Sequence, residues 1–204
     1  MAETLLVGLT GMSGSGKTTV CDYFRAKDID IIDCDKVARF VVQKDFPCLD
    51  EIRESFGNEV ILKSGELNRK KLGEIIFKND DKKQMLEKII FPYIVYQVFS
   101  KITDLKNKNR KIIILDAPTL FESGMDKICD VIISIVSDLD ICAERISKRD
   151  NISLESARQR LIKQHGKEFF IKNSTYYINN VHSVNELNSS TENILDELIR
   201  RLDG

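Results

Sequence analysis

Apolar residues in this chain fall into short unbroken runs, separated by longer stretches where they recur every three or four positions. The candidate strand runs are 5–10, 29–33, 111–116, 131–136 and 176–178, most of them continuously apolar. Runs of that length without alternation predict strands buried on both faces. Helical spacing follows the first run and continues at about 35–43, 49–56, 68–77 and 80–105, with Pro92 expected to kink the last of these. It returns at 139–148, and again at 191–202, where Ile194, Leu195, Leu198 and Ile199 share one side. Ser153 is expected to cap a further helix, with Ser156 standing where a capping box has its acidic residue. Strands alternating with helices predict an α/β fold around a mainly parallel five-stranded sheet flanked by helices. Ligands of such sheets bind beyond the carboxyl ends of the strands.

Two excursions interrupt this alternation. The stretch from about 36 to 110 is too long for one crossover. It holds several helices and the turn-rich Lys63-Ser64-Gly65-Glu66, and it reads as a substrate-binding insertion, the alternative being a purely structural one. The second excursion follows the fourth strand and carries Arg158, Arg160 and Lys163.

With 204 residues the chain can form one sizeable core with insertions. A net charge of −1 gives no global basic signal for nucleic acid. No run of 18 apolar residues appears, so no membrane span is expected. The first strand begins at once, so no targeting peptide is expected. Cys21, Cys34, Cys48, Cys129 and Cys142 are scattered, with no C-x-x-C pair, and point to reduced thiols in a cytoplasmic protein. His165 and His182 are too far apart in sequence to suggest a histidine metal site or a Ser-His-Asp triad. A monomer or weak homo-oligomer is expected.

The first strand runs into Gly11-Met12-Ser13-Gly14-Ser15-Gly16-Lys17-Thr18, which is a P-loop. Glycines let the backbone turn so that several N–H groups converge on a phosphate. The following helix directs its positive end at the same place. Lys17 suits the β- and γ-phosphates of a purine nucleoside triphosphate, and the Thr18 hydroxyl suits Mg²⁺. A strand before and a helix after give the motif its required context.

Other residues gain meaning behind a P-loop. Asp33 and Asp35 end the second strand, where a carboxylate can orient an acceptor hydroxyl and take its proton. Asp33 is alternatively a support for magnesium through water, and Asp35 alternatively a helix N-cap. Asp116 ends an apolar strand, as an indirect magnesium ligand or a group orienting Thr18 does. Arg145 and Arg149 lie four apart on one helix face, where guanidinium groups can stabilise transferring phosphate; surface pairing with Glu144 or Asp150 is the alternative.

Together these segments resemble the dephospho-coenzyme A kinase family, over nearly the whole chain. Gly8-Leu9-Thr10-Gly11 leads into the P-loop as in that family. Asp33-Cys34-Asp35 with Ala38-Arg39 is similar to its Asp-Ala-Asp…Ala-Arg segment, and Gly65 to Arg69 with Leu72 to its Gly-x-Leu-x-Arg-x-x-Leu segment. Pro118-Thr119-Leu120-Phe121-Glu122 resembles its Pro-Leu-Leu-Phe-Glu element. Arg145-x-x-x-Arg149-Asp150 matches its lid arginines, and Gln164 and Asn180 fall where later motifs do. The chain departs from the family pattern at Phe91-Pro92, Thr119, Phe170 and Ser174-Thr175.

The resemblance implies a P-loop kinase fold in three parts: a nucleotide-binding core (1–35, 110–140, 174–204), a helical substrate domain (36–109) and a lid (141–173). It implies transfer of the γ-phosphoryl of ATP to the ribose 3′-hydroxyl of dephospho-coenzyme A, with Mg²⁺. Asp35, Lys17 and Arg145 would be catalytic. Gly11, Ser13, Gly14, Ser15, Gly16, Lys17, Thr18, Thr19, Arg149 and Asn180 would bind ATP. Asp33, Arg39, Arg69, Pro118 and Glu122 would serve the acceptor, and Thr18 and Asp116 the metal.

Two rivals remain at this level. One is another P-loop kinase acting on a small molecule, nucleoside or nucleotide. The other is a nucleotide switch or motor. Asn107-Lys108-Asn109-Arg110 lacks the aspartate of a guanine-reading Asn-Lys-x-Asp and precedes its strand, and no transporter-type Leu-Ser-Gly-Gly-Gln occurs.

Overall fold

A computed structural model describes residues 4–203. Five strands, β1 (Leu5–Gly11), β2 (Asp30–Asp33), β3 (Ile112–Asp116), β4 (Val131–Val136) and β5 (Tyr176–Asn179), form one parallel sheet in the order β2-β3-β1-β4-β5. The central strand β1 pairs with β3 and β4, and β4 with β5, all in parallel. Val7 and Leu9 are fully buried, and so are Ile113, Ile114 and Leu115 on β3, as the unbroken apolar runs require.

Helix α1 (Lys17–Ala26) and the last helix, α9 (Val184–Asp203), pack on one sheet face. Their Val20, Phe24, Leu195 and Leu198 join Val7, Leu9, Ile133 and Ile135 in one core. Fully burying each such side chain contributes about 1.5–3 kcal/mol. The sequence pattern placed the start of α9 at 191, seven residues late. Its first turns are rich in Asn and Ser, which hide the apolar period, yet Ser183 accepts a hydrogen bond from the Glu186 amide and Leu187 is buried. Ile199, expected beside Leu198 on the packed side, is exposed.

After β4 come α6 (Leu139–Asp150) and α7 (Leu154–Ile162), separated as the sequence reading expected, and the short α8 (Lys167–Lys172), which it did not single out. Ser153 caps α7 as expected: it accepts from the Ser156 amide at 3.1 Å and donates to the Ser156 hydroxyl at 2.9 Å. Met12, Val136, Cys142, Ile146, Leu161 and Phe170 form a second core here.

The contacts divide the chain into two compact units, residues 33–104 and the remainder. The first contains α2 (Cys34–Phe40), α3 (Pro47–Phe56), α4 (Arg69–Phe77) and most of α5 (Asp80–Asn107). Asp33 caps α2, accepting from the Lys36 amide at 2.9 Å; the capping considered for Asp35 thus belongs to Asp33, and Asp35 stands in the first turn. Asn68 caps α4 in the same way. The turn-rich 63–66 segment closes an antiparallel bridge between Ile61 and Leu67. Helix α5 runs through Pro92, the position where a kink is expected from sequence. In the same unit, Tyr93 on α5 donates to Glu51 on α3, and that bond, first among its causes, pushes the phenol up to about 12.

Candidate nucleotide and acceptor sites

The P-loop corner follows from strand register. Leu9 on β1 stands opposite Asp116 on β3, so the Asp116 carboxylate ends beside the turn that begins at Gly11. Gly11 has φ 142°, and a Cβ there would collide with the backbone of Ile135 on β4. The closeness of β1 and β4 therefore admits only glycine at this position.

Beyond Gly11 the loop wraps back. The Met12 amide donates to the Ile135 carbonyl at 3.1 Å and the Ser15 amide to the Met12 carbonyl at 3.1 Å. The amides of Gly14, Gly16, Lys17 and Thr18 find no acceptor among the described residues. Unpaired amides at a helix N-terminus form an anion site. This donor set fits a polyphosphate, which would supply the acceptor oxygens that the protein does not.

Lys17 donates to Asp116 through its ammonium group. Asp116 accepts on its other oxygen from the Cys21 thiol at 3.3 Å. Sequence reasoning had given Asp116 to magnesium or Thr18, and it missed both contacts. The periodicity offered one clue, since Cys21 lies four residues after Lys17 on α1. Burial, then the Asp116 charge, pushes the Cys21 thiol up to about 12, so it remains a protonated donor. The Thr18 side chain is exposed, and Thr19 is half-buried.

Three later elements reach the loop. Arg145 on α6 donates to the carbonyls of Gly14 (3.3 Å), Ser15 (3.5 Å) and Asn180 (3.4 Å). Asn180, just past β5, donates to the Ser15 carbonyl at 2.7 Å. Gln164 accepts from the Ser13 amide at 3.2 Å and donates to the Ser13 hydroxyl at 2.9 Å. The buried Ser15 hydroxyl has no hydrogen-bond partner among the described residues.

Arg149 is not among these groups. It pairs with Asp150 at 2.8 Å, and Arg160 joins from α7 at 2.9 Å. Pro118 accepts from Thr10 through its carbonyl at 3.3 Å. Glu122 lies 3.6 Å from His165, whose ring stacks on Phe169.

Within the helical unit, a cavity of about 410 Å³ collects three expected site residues from two separate segments. Asp35, Arg39 and Arg69 line it together, against an apolar wall that includes Val42, Leu72, Ile76 and Ile90. Such mixed walls suit ligands that are part anionic and part apolar. A neighbouring cavity of about 510 Å³ shares Arg39 and Arg69 and adds Gln43 and Lys44. Lys44 was not singled out from sequence, because no motif contains it. Asp33 is occupied as a cap and pairs with Lys36 at 3.2 Å.

The profile of one protein family, dephospho-CoA kinase, matches residues 5–186. The chain belongs to the dephospho-CoA kinase family. A dephospho-CoA kinase of Fusobacterium nucleatum is 37% identical over 195 residues, which cover 95% of this chain and 98% of the relative. One of Arabidopsis thaliana is 36% identical over 197 residues, covering 97% of this chain and 85% of the relative. A solved structure of dephospho-CoA kinase from Campylobacter jejuni is 26% identical, with a TM-score of 0.72 over 95% of this chain and 96% of that one. The family membership bears out the resemblance read from the motifs, and the P-loop kinase fold agrees with the parallel sheet described above.

Among the described residues, no helix is long and apolar enough to cross a membrane. Among the described residues, none of the five cysteines forms a disulfide. Burial pushes Cys129 up to about 12 and Cys48 up to about 11, and it raises Cys142 as well, leaving poor nucleophiles at neutral pH.

Proposed function

We infer that the chain phosphorylates the ribose 3′-hydroxyl of dephospho-coenzyme A with ATP, giving coenzyme A and ADP in the last step of coenzyme A synthesis. Family membership supports the reaction. One observation carries its assignment to residues: Asp35, Arg39 and Arg69 come together in a single cavity of the helical unit. Two guanidinium groups favour the anionic part of an acceptor, and the apolar wall favours its uncharged part. We assign Asp35 to orient the acceptor hydroxyl and take its proton.

On the nucleotide side, the unpaired amides of Gly14, Gly16, Lys17 and Thr18 would hold phosphate oxygens. Bound ATP would supply the transferable phosphoryl group, and Mg²⁺ would neutralise its oxygens. Thr18 and Asp116 are the residues we assign to the metal, Asp116 through water. Lys17 neutralises phosphate charge, and Arg145 does so where that charge grows during transfer. Gly11, Ser13, Ser15 and Thr19 complete the cradle. Arg149 is assigned to ATP, and Pro118 and Glu122 to the acceptor side. We read residues 141–173 as the lid and 36–109 as the acceptor domain, in a cytoplasmic enzyme, consistent with five cysteines that form no disulfide among the described residues.

Coupled ADP formation over a panel of acceptors tests the reaction. Dephospho-coenzyme A should support turnover, while uridine, AMP and no acceptor should not. Turnover with uridine or AMP alone would transfer the assignment to another kinase class.

A further inference from the structure

The Ser15–Gly16 peptide turns about Ser15 ψ and Gly16 φ, and Gly16 (φ 101°) sits in the region that glycine enters freely. Rotation of this one peptide would reverse the Gly16 amide at little steric cost. A trans peptide is planar, so its C=O and N–H point in opposite directions. Whatever holds the Ser15 carbonyl therefore aims the Gly16 amide.

Asn180 holds that carbonyl. Its Nδ2 donates to the Ser15 oxygen at 2.7 Å, and the residue is only 7% exposed. Asn180 is itself fixed by its main chain: its amide donates to the Val136 carbonyl at 2.8 Å, and its carbonyl accepts from Ser137 Oγ at 2.6 Å and from Arg145. A Cβ at Gly16 would collide with Asn180 Nδ2, so the amide group packs directly on the glycine. The Gly16 N–H, on the opposite edge of the peptide, is one of the four loop donors without an acceptor among the described residues.

We propose that Asn180 is a positioning residue, which fixes the Ser15–Gly16 peptide so that the Gly16 amide faces the phosphates, rather than a residue that touches the nucleotide. This rests on the ATP-binding reading above and revises the direct ATP role that the family resemblance implied for Asn180. Lost donation leaves the Ser15 carbonyl with only the long bond from Arg145 at 3.5 Å, and the peptide turns to find a better partner.

Calorimetric titration of the full chain with ATP, and separately with inorganic tripolyphosphate, tests the proposal. Asn180→Ala should weaken both by about the same factor, on the order of tenfold, because the loss lies in the phosphate cradle. Asn180→Asp should weaken both further, since its carboxylate faces the Ser15 carbonyl oxygen. Ile194→Val, a core change of comparable thermal cost, should leave both affinities as they are. Weaker ATP binding with unchanged tripolyphosphate binding would mean that Asn180 contacts the nucleoside, and would overturn the proposal. So would unchanged affinity for both. Should Asn180→Ala not fold, Asn180→Ser, too short to reach Ser15, takes its place with the same expectations. Because the titration needs no acceptor, its failure is separate from failure of the dephospho-coenzyme A reading, which the acceptor panel decides.

Discussion

The P-loop corner and the cavity of the helical unit serve anions by opposite means. In the corner the free donors are main-chain amides, and its one ammonium group, Lys17, already has Asp116 as partner. In the cavity the donors are side chains, Arg39 and Arg69, set against an apolar wall. Main-chain donors demand a particular backbone path, so the corner spends its residues on turning the chain. Side-chain donors tolerate any backbone that delivers them, so the cavity draws on positions from 35 to 90. The corner is therefore suited to a constant group, the triphosphate, and the cavity to a particular acceptor.

The largest effect should separate the two. Asp35→Asn keeps the cavity's shape and removes a proton acceptor, so turnover should fall by about 10³ while ATP binding is kept; general base catalysis contributes 10²–10⁴. Steady-state rates beside an ATP titration measure this. Transfer retained at the ordinary rate would remove Asp35 from the mechanism and reduce the cavity to a binding surface.

Arg145→Ala comes next. Its guanidinium now lies on the Gly14 and Ser15 carbonyls, within the corner. Turnover should fall by about 10² and ATP affinity much less, because its charge matters most where charge develops during transfer. Equal modest losses in both would make it one more fastener of the loop, beside Asn180 and Gln164.

The same contrast explains what could be read in advance. The P-loop is eight adjacent residues with fixed roles, and the strands around it are unbroken apolar runs, so the corner and the sheet were legible from local pattern. Asp35, Arg39 and Arg69 were legible only through resemblance, because no local rule joins positions 35 and 69. The contacts that fasten the loop were not legible at all. Gln164 meets Ser13, and Asn180 meets Ser15, across more than 150 residues of chain, and neither bond leaves a periodic trace. The hidden first turns of α9 failed for a different reason: polar residues there meet solvent while Leu187 alone reports the core.

Arg39→Ala should act on the cavity without touching the corner. Removing a uniform binding contact raises the KM for dephospho-coenzyme A with kcat little changed, by about tenfold for one charge-assisted hydrogen bond. An equal rise in the KM for ATP would contradict the division of labour, since the cavity would then serve both substrates.

The smallest effect tests the one expected ATP residue that stands apart from the corner. The hydrogen bond from Arg149, then the charges of Arg149 and Arg160, hold the Asp150 carboxyl below its ordinary value of 3.8. A carboxyl depressed in the folded state stabilises above its unfolded pKa and loses that contribution as pH falls through the folded value. Asp150→Asn should therefore flatten the acid end of the melting curve below about pH 4 and lower stability at pH 7 only slightly, as exposed pairs contribute little. The variant also releases Arg149 from its carboxylate partner. If Arg149 serves ATP, the released guanidinium should lower the KM for ATP by about twofold, the scale of a weak surface pair. A flattened acid limb with an unmoved KM would instead assign Arg149 to the joint between α6 and α7, and leave the corner to Lys17, Arg145 and the loop amides.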